Sequence, residues 1–304
     1  MMLRKKHHAG SDAAKAASPP PMLRAWQANL LLVACAFFWG LGFVVMKNAL
    51  DVYPTYWLLF LRFTGGAFLM GVCFFKRIVR ATRGDLTGGA IIGVFLFLAM
   101  GIQTLGLNYT TAGKQAFLTG SYVVMVPFLL WGLRRTFPGW IAIIASLICF
   151  SGMGLLTSDV SGELNIGDVL STIAAFFFAA HIIAVGYYAK DGDPMVLAFV
   201  QFLMTAVLSL FAGLIFHGPL ELQGTQGLME VVYSAVLSTF FCFLVQNVAQ
   251  KYTTPTHASI LLGLESVFGV LCGIFILKEV FTPKMALGCC LIFAAVLLAQ
   301  LKKE

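Results

Sequence analysis

Residues 108–111 read Asn108-Tyr109-Thr110-Thr111, and residues 251–254 read Lys251-Tyr252-Thr253-Thr254. The shift between them is 143 residues, and keeping it pairs Gln103 with Gln246, Leu118 with Leu261, Gly120 with Gly263, Val124 with Val267 and Phe150 with Phe293. A small change of register adds Arg62-Phe63 opposite Gln201-Phe202. Around these landmarks the chain falls into ten apolar runs: 29–50, 55–75, 87–109, 112–132, 139–157, 167–188, 194–216, 227–249, 256–277 and 284–301. Each is close to the roughly 20 residues that a helix needs to cross about 30 Å of hydrocarbon. The repeat matches spans 1–5 with spans 6–10. Five is odd, so the second half must enter the membrane from the opposite side. The expected fold is therefore an all-α polytopic membrane protein, ten transmembrane helices arranged as two inverted five-helix repeats.

Composition agrees. Of 304 residues 60% are hydrophobic and 11% charged, against about 25% charged in soluble domains. That excludes a soluble enzyme, which could not cover its surface, and a disordered chain. Runs of about 20 apolar residues also exclude a membrane β-barrel, whose strands alternate polar and apolar. Proline marks the helix starts: Pro54, Pro138, Pro194, Pro255 and Pro283 stand where a missing N–H costs least. Pro127 lies within the fourth span and is expected to free a carbonyl or kink the helix. The seven cysteines all lie in apolar runs, without metal spacing or a disulfide framework, and read as small buried apolar residues.

The net charge of +7 points to membrane orientation and not to nucleic acid. Among the 20 Lys and Arg, all but Lys47, Arg62, Lys114, Lys278 and Lys284 fall in the segments on the N-terminal side of the membrane. Basic residues favour the cytoplasmic side, so both termini are expected there. The loop 158–166 on the other side holds Asp159 and Glu163 and no basic residue. Residues 1–27 read as a flexible basic tail, 28–160 as the first repeat and 161–304 as the second.

Ionisable groups within hydrocarbon are costly and mark functional positions. Glu265 lies nine residues into the ninth span, about 14 Å deep and near the midplane. It either binds a substrate amine, carries a proton, since burial favours a neutral carboxyl, or pairs structurally with a Ser, Tyr or Arg of a neighbouring span. The repeat shift matches it with Tyr122, a carboxyl facing a phenol at one depth. Gln103 and Gln246 occupy matched depths and serve as gate hydrogen bonds or as interhelical glue. Asn247 points about 100° away from Gln246, so both cannot line one narrow path. Trp39, unusual in mid-span, walls a cavity or packs. His181, past the midplane, carries protons or hydrogen-bonds another helix. Arg62 is roughly 10 Å deep and snorkels, pairs with a carboxyl or binds carbonyls. Lys114 and its repeat mate His257 sit at opposite mouths of one pathway, attracting an anionic group or snorkelling to headgroups. Gly89-x-x-x-Gly93 and Gly269-x-x-x-Gly273 permit close helix approach. No Walker phosphate loop and no metal-spaced cluster occur, so neither cofactor nor metal is expected.

Together these segments resemble the EamA-type branch of the drug/metabolite transporter superfamily. The resemblance rests on Phe37-Phe38-Trp39-Gly40, Leu61-Arg62-Phe63, Tyr109-Thr110-Thr111-Ala112 leading to Ala116-Phe117-Leu118, and Val126-Pro127 in the first half. In the second it rests on Lys251 to Ala258, Leu264-Glu265-Ser266-Val267-Phe268 and Leu277-Lys278-Glu279. It covers about residues 29–301. It implies secondary transport of amino acids and other small metabolites, mostly outward, across a bacterial inner membrane. It also implies a cavity lined by spans 1, 3, 4, 6, 8 and 9. Two departures stand out: Ser266 where the family usually has Pro, and Arg134-Arg135-Thr136 where it often has Gly-Glu. The expected activity is thus export of an amino acid or similar metabolite by alternating access, proton-coupled or not. Trp39, Gln103, Tyr122, His181, Gln246 and Glu265 would line the substrate site, and the partners would be that substrate and the lipid bilayer. A facilitative carrier of drugs or other metabolites is the alternative. A membrane-embedded enzyme built on Glu265 and His181 lacks a nucleophile or a metal set, and a channel or scaffold is the remaining class.

Overall fold

The computed structural model describes residues 23–110, 112–156, 165–221, 225, 227–277 and 282–300. The N-terminal tail up to residue 22, most of the loop 158–166, the Lys278-Glu279 pair and the Lys114 side chain lie outside the described residues. The described residues are helical: α1 (Ala25–Leu50), α2 (Thr55–Ile78), α3 (Arg83–Leu107), α4 (Ala112–Gly120), α5 (Tyr122–Arg134), α6 (Trp140–Leu156), α7 (Ile166–Tyr188) and α8 (Pro194–His217) come first. Next is α9 (Leu228–Tyr233), which widens into a π-helical stretch (Ser234–Phe241) and resumes as α10 (Cys242–Ala249). The chain ends with α11 (Pro255–Leu262), α12 (Glu265–Leu277) and α13 (Pro283–Gln300). Among the described residues seven helical stretches are long and apolar enough to cross a membrane, Gln115–Arg134 of α4 and α5 counting as one and α9 to α10 as another.

Local chemistry sets the boundaries. Thr82 and Asp85 close a capping box at the start of α3, as Asn165 and Asp168 do for α7. Asp193 and Thr254 accept backbone N–H bonds at the starts of α8 and α11, each followed by proline. The prolines expected at helix starts stand at or just before them. Pro127 follows the first of its two expectations: α5 runs through it, the missing N–H leaving one carbonyl free, while the helix packs on α6 and α7. The fourth and ninth spans are interrupted elsewhere, at Ser121 and at Gly263-Leu264.

The helices pack mainly across the two halves, and the pattern is reciprocal. α2 lies on α8 and α6 on α13. α3 packs on α7 and α8, while the π-helical stretch packs on α1 and α2. α1 packs on α12, while α4 and α5 pack on α7. Glycines set the closest crossings. A Cβ on Gly40 would come within 2.6 Å of the Glu265 carbonyl and 2.7 Å of the Gly269 nitrogen. One on Gly93 would meet Met204 and the Gln201 carbonyl of α8. These are the close approaches expected of both glycine motifs, although the Gly273 side of the second lies outside the described residues.

Burial runs opposite to a soluble protein. Phe68, Phe75, Phe211, Ile215 and Trp140 face outward, whereas Arg62, His181, Gln201, Gln246 and Glu265 are buried. Exposed apolar and enclosed polar side chains are what a lipid solvent requires. The cysteines divide: Cys35, Cys149 and Cys242 are buried, but Cys73 and Cys290 are on the outer face, correcting the expectation that all are interior. A thiol is apolar enough for either place.

Candidate functional site

Two ends of the bundle can be told apart by their contacts. One gathers Arg77, Lys190, Asp193 and Lys251: Arg77 pairs with Asp193 at 3.1 Å, and Lys251 Nζ donates to the Gly192 carbonyl. At the other, Lys47 Nζ donates to the Leu107 carbonyl, Asn108 to Thr55, and Thr110 to Asp168. Between the middle of the bundle and this second end lies a small cavity of about 70 Å³. Met46 and Leu107 line its part nearest that end, and Ile182, Phe243 and Leu262 its deepest part. A continuous apolar cluster including Leu32, Val126, Ala249 and Ile260 fills the bundle between the cavity and the basic end.

Trp39, Gln103, Tyr122, His181, Gln246 and Glu265 all line this cavity, with Arg62. Tyr122 Oη donates to Glu265 Oε1 at 3.1 Å. These two residues are repeat mates, and each opens the helix that follows an interruption, α5 after Ser121 and α12 after Gly263-Leu264. Both are nearly fully buried. Glu265 therefore stands in the first turn of α12, where the helix dipole favours a carboxylate. The partner found is one of the types foreseen for a structural pair, and the same pair faces open space.

Gln103 Nε2 donates to Thr119 Oγ1 at 3.3 Å. Gln115 Nε2 reaches the Gln103 carbonyl and Ser171. The side-chain oxygens of Gln115 and Gln246 are buried with no hydrogen-bond partner, although both residues line the cavity. Asn247 turns away and bonds the Phe243 carbonyl of its own helix. His181 Nε2 lies 3.2 Å from Gln201 Oε1, a contact between α7 and α8, with its ring against Phe243. Trp39 packs against Phe243 with the rings tilted by 54° and donates Nε1 to the Ser238 carbonyl at 2.9 Å.

Arg62 neither snorkels nor pairs with a carboxylate. It is 1% exposed. Its Nε donates to Thr239 Oγ1 and its Nη2 to Ser238 Oγ, both at 2.9 Å, while Nη1 faces the Met46 sulfur at 3.4 Å. No carboxylate among the described residues lies within ion-pair distance of it. Its side chain is held inside the bundle wall by hydroxyls of the π-helical stretch, a structural setting. His257 is half-buried at the basic end, beside a depression that Arg134, Lys190 and Lys251 share, far along the chain axis from the cavity. Among the described residues no group of three or more His, Cys, Asp or Glu side chains is placed to hold a metal.

Ser238, Thr239, Gln115 and Thr119 are site residues that the sequence reading missed. Gln115 carried a signal, an amide within an apolar helix. Its repeat mate is Ala258, so symmetry did not single it out. Ser238 and Thr239 carried none, since small hydroxyls in membrane helices usually bond their own backbone and nothing local announces a π-helical turn.

The EamA-like transporter family model matches the chain twice, over residues 26–158 and 165–301. An uncharacterised transporter of Archaeoglobus fulgidus is 32% identical over 279 residues, covering 90% of this chain and 86% of that protein. A second transporter from the same organism is 30% identical over 130 residues, 43% of this chain and 44% of that one. A protein of known crystal structure superposes with a TM-score of 0.76 at 16% identity, over 92% of this chain and 98% of the other, a likeness of fold. With a double family match over an all-helical, lipid-compatible bundle that encloses a polar cavity, this chain belongs to the EamA-like transporter family of multi-pass membrane transporters of small molecules.

Proposed function

We propose that this transporter exports an amino acid or similar small polar metabolite by alternating access across a bacterial inner membrane. In this reading the ten apolar segments form two inverted five-helix repeats, residues 28–160 and 161–304, with both termini cytoplasmic. The observation that carries it is the Tyr122–Glu265 hydrogen bond. Two repeat mates meet in the wall of the cavity, as expected of residues beside a pseudo-two-fold axis in the membrane plane.

The mechanism follows from the geometry. Two similar halves can exchange conformations, which turns a cavity open to one side into a cavity open to the other. The described conformer has its cavity toward the end opposite the basic cluster, with packed apolar residues beyond it. Glu265 meets the substrate amine or a coupling proton. Gln103 and Gln246 orient the substrate, and Trp39, Tyr122 and His181 shape the cavity around it. The interrupted helices give the hinges, because a break in the backbone ladder is where two helical pieces can reorient at least cost.

The test is counterflow in proteoliposomes loaded with single amino acids, with and without a pH gradient. Saturable uptake of labelled compound by the wild type, lost at least about tenfold in Glu265→Gln at equal reconstitution, is expected. Wild-type rates in that variant would remove Glu265 from the path.

A further inference from the structure

Arg62 poses a problem of charge. A guanidinium stays protonated under all ordinary conditions, and an unpaired charge out of water is among the costliest features a protein can carry. Yet Arg62 is essentially unexposed, and the three side chains that its nitrogens meet, Thr239, Ser238 and Met46, are neutral. Its neighbour on the aromatic side, the Phe63 ring at 5.2 Å, offers only a partial offset. The group is also held firmly, since Nε and Nη2 each donate to a hydroxyl. Those hydroxyls lie on consecutive residues of the π-helical stretch, the kind of helix irregularity that recurs at functional sites.

A guanidinium has five N–H groups, and three are directed at these partners. The remaining two are one on Nη1 and one on Nη2. Two N–H groups on neighbouring nitrogens are enough for the two oxygens of a carboxylate. The cavity is lined by Arg62 itself. Its other polar groups are of opposite character: the Glu265 carboxyl, with Tyr122 bonded to it, and the unpartnered side-chain oxygens of Gln115 and Gln246. These are acceptors that suit an ammonium or hydroxyl donor.

We propose that Arg62 is the anchor for a carboxylate of the transported molecule, so that the cavity takes a small zwitterion with its acid end on Arg62 and its amine end toward Glu265 and Gln246. This rests on the transport reading above. It makes the substrate the counter-ion of Arg62, and so explains why a costly buried charge is kept without a carboxylate partner among the described residues. It also gives Ser238 and Thr239 a purpose, as residues that position the fork.

The experiment is a ligand series on the full-length protein in proteoliposomes. Labelled L-amino acids, their methyl esters, the corresponding decarboxylated amines and the corresponding deaminated monocarboxylates are compared for counterflow. Thermal unfolding in detergent with each compound is followed in parallel. Removing the carboxylate, as ester or amine, is expected to weaken uptake at least about tenfold, because the Arg62 fork is then left unpaired. Arg62→Lys, which keeps the charge and loses the fork, is expected to raise KM for the acids while narrowing the preference for acid over ester. A structural arginine would instead lower the unfolding temperature and leave that preference intact. Should Arg62→Lys fail to fold, the wild-type series decides alone. Esters and amines moving as well as the acids would overturn the anchor while leaving the transporter reading intact. Monocarboxylates moving without amino acids would uphold the anchor and overturn the amino-acid reading. Movement of none of the four classes by folded protein would overturn both.

Discussion

Tyr122 and Glu265 show what one hydrogen bond does at a repeat interface. The phenol donates to a carboxyl oxygen with almost no water around either group, so removing the donor leaves that oxygen underused. Tyr122→Phe is expected to cost about 1 kcal/mol of stability and to reduce counterflow several-fold, read by thermal unfolding and by initial rates at equal protein. Thr239→Val keeps shape but takes away the acceptor for Arg62 Nε. A buried donor left unpaired costs about 1–3 kcal/mol, and more when it is charged, so this variant is expected to unfold several degrees below the wild type. The depth argument from spacing was enough to select Glu265. The identity of its partner was legible only because the 143-residue shift placed Tyr122 opposite it. The environment of Arg62 was not legible, because its hydroxyl partners lie 176 and 177 residues away in sequence on a turn whose widening has no local signature.

At the scale of the element, small residues and interruptions carry the meaning. Gly40 sits where α1 meets α12, with space for hydrogen only. Gly40→Ala is expected to destabilise by about 1–3 kcal/mol through overpacking and to displace the backbone at Glu265. Gly132, in α5, has nothing within 4 Å of the place a Cβ would take. Gly132→Ala is expected to be neutral or to stabilise by up to about 1 kcal/mol through helix propensity. Thermal unfolding of the two variants side by side separates crowding from propensity. Helix starts were readable from proline and capping residues, since those act within a turn. The breaks at Ser121 and at Gly263-Leu264 were not. A glycine pair at matching positions suggested a shared need, but the hydrophobic run continues through both sites, and composition does not report a lost backbone hydrogen bond.

For the whole molecule, the basic cluster and the reciprocal packing of the halves make topology the prediction to test. Tags at the N- and C-termini are both expected to react with impermeant reagents only after cells are permeabilised, since basic residues favour the cytoplasmic side. One terminus labelled from outside and the other protected would overturn the inverted arrangement of ten spans, and both labelled would reverse its orientation. The Arg77–Asp193 pair at the basic end is half exposed on its arginine side. Arg77→Ala is expected to change stability by less than about 1 kcal/mol, and less still at high salt.

The sequence by itself determined that the chain is a membrane-spanning helical bundle, where the helices that open on a proline or a cap begin, and that Glu265 lies deep within it. Hydropathy, caps and depth depend on neighbours a few residues away and on the solvent. Only the tertiary structure decided that the candidate site residues share one cavity, that Glu265 meets Tyr122, and that Arg62 borders the cavity, almost wholly buried, without a counter-charge among the described residues. Such facts depend on helices distant in sequence being brought within about 3 Å of one another, and on the neutral side chains and the π-helical turn that packing put between them.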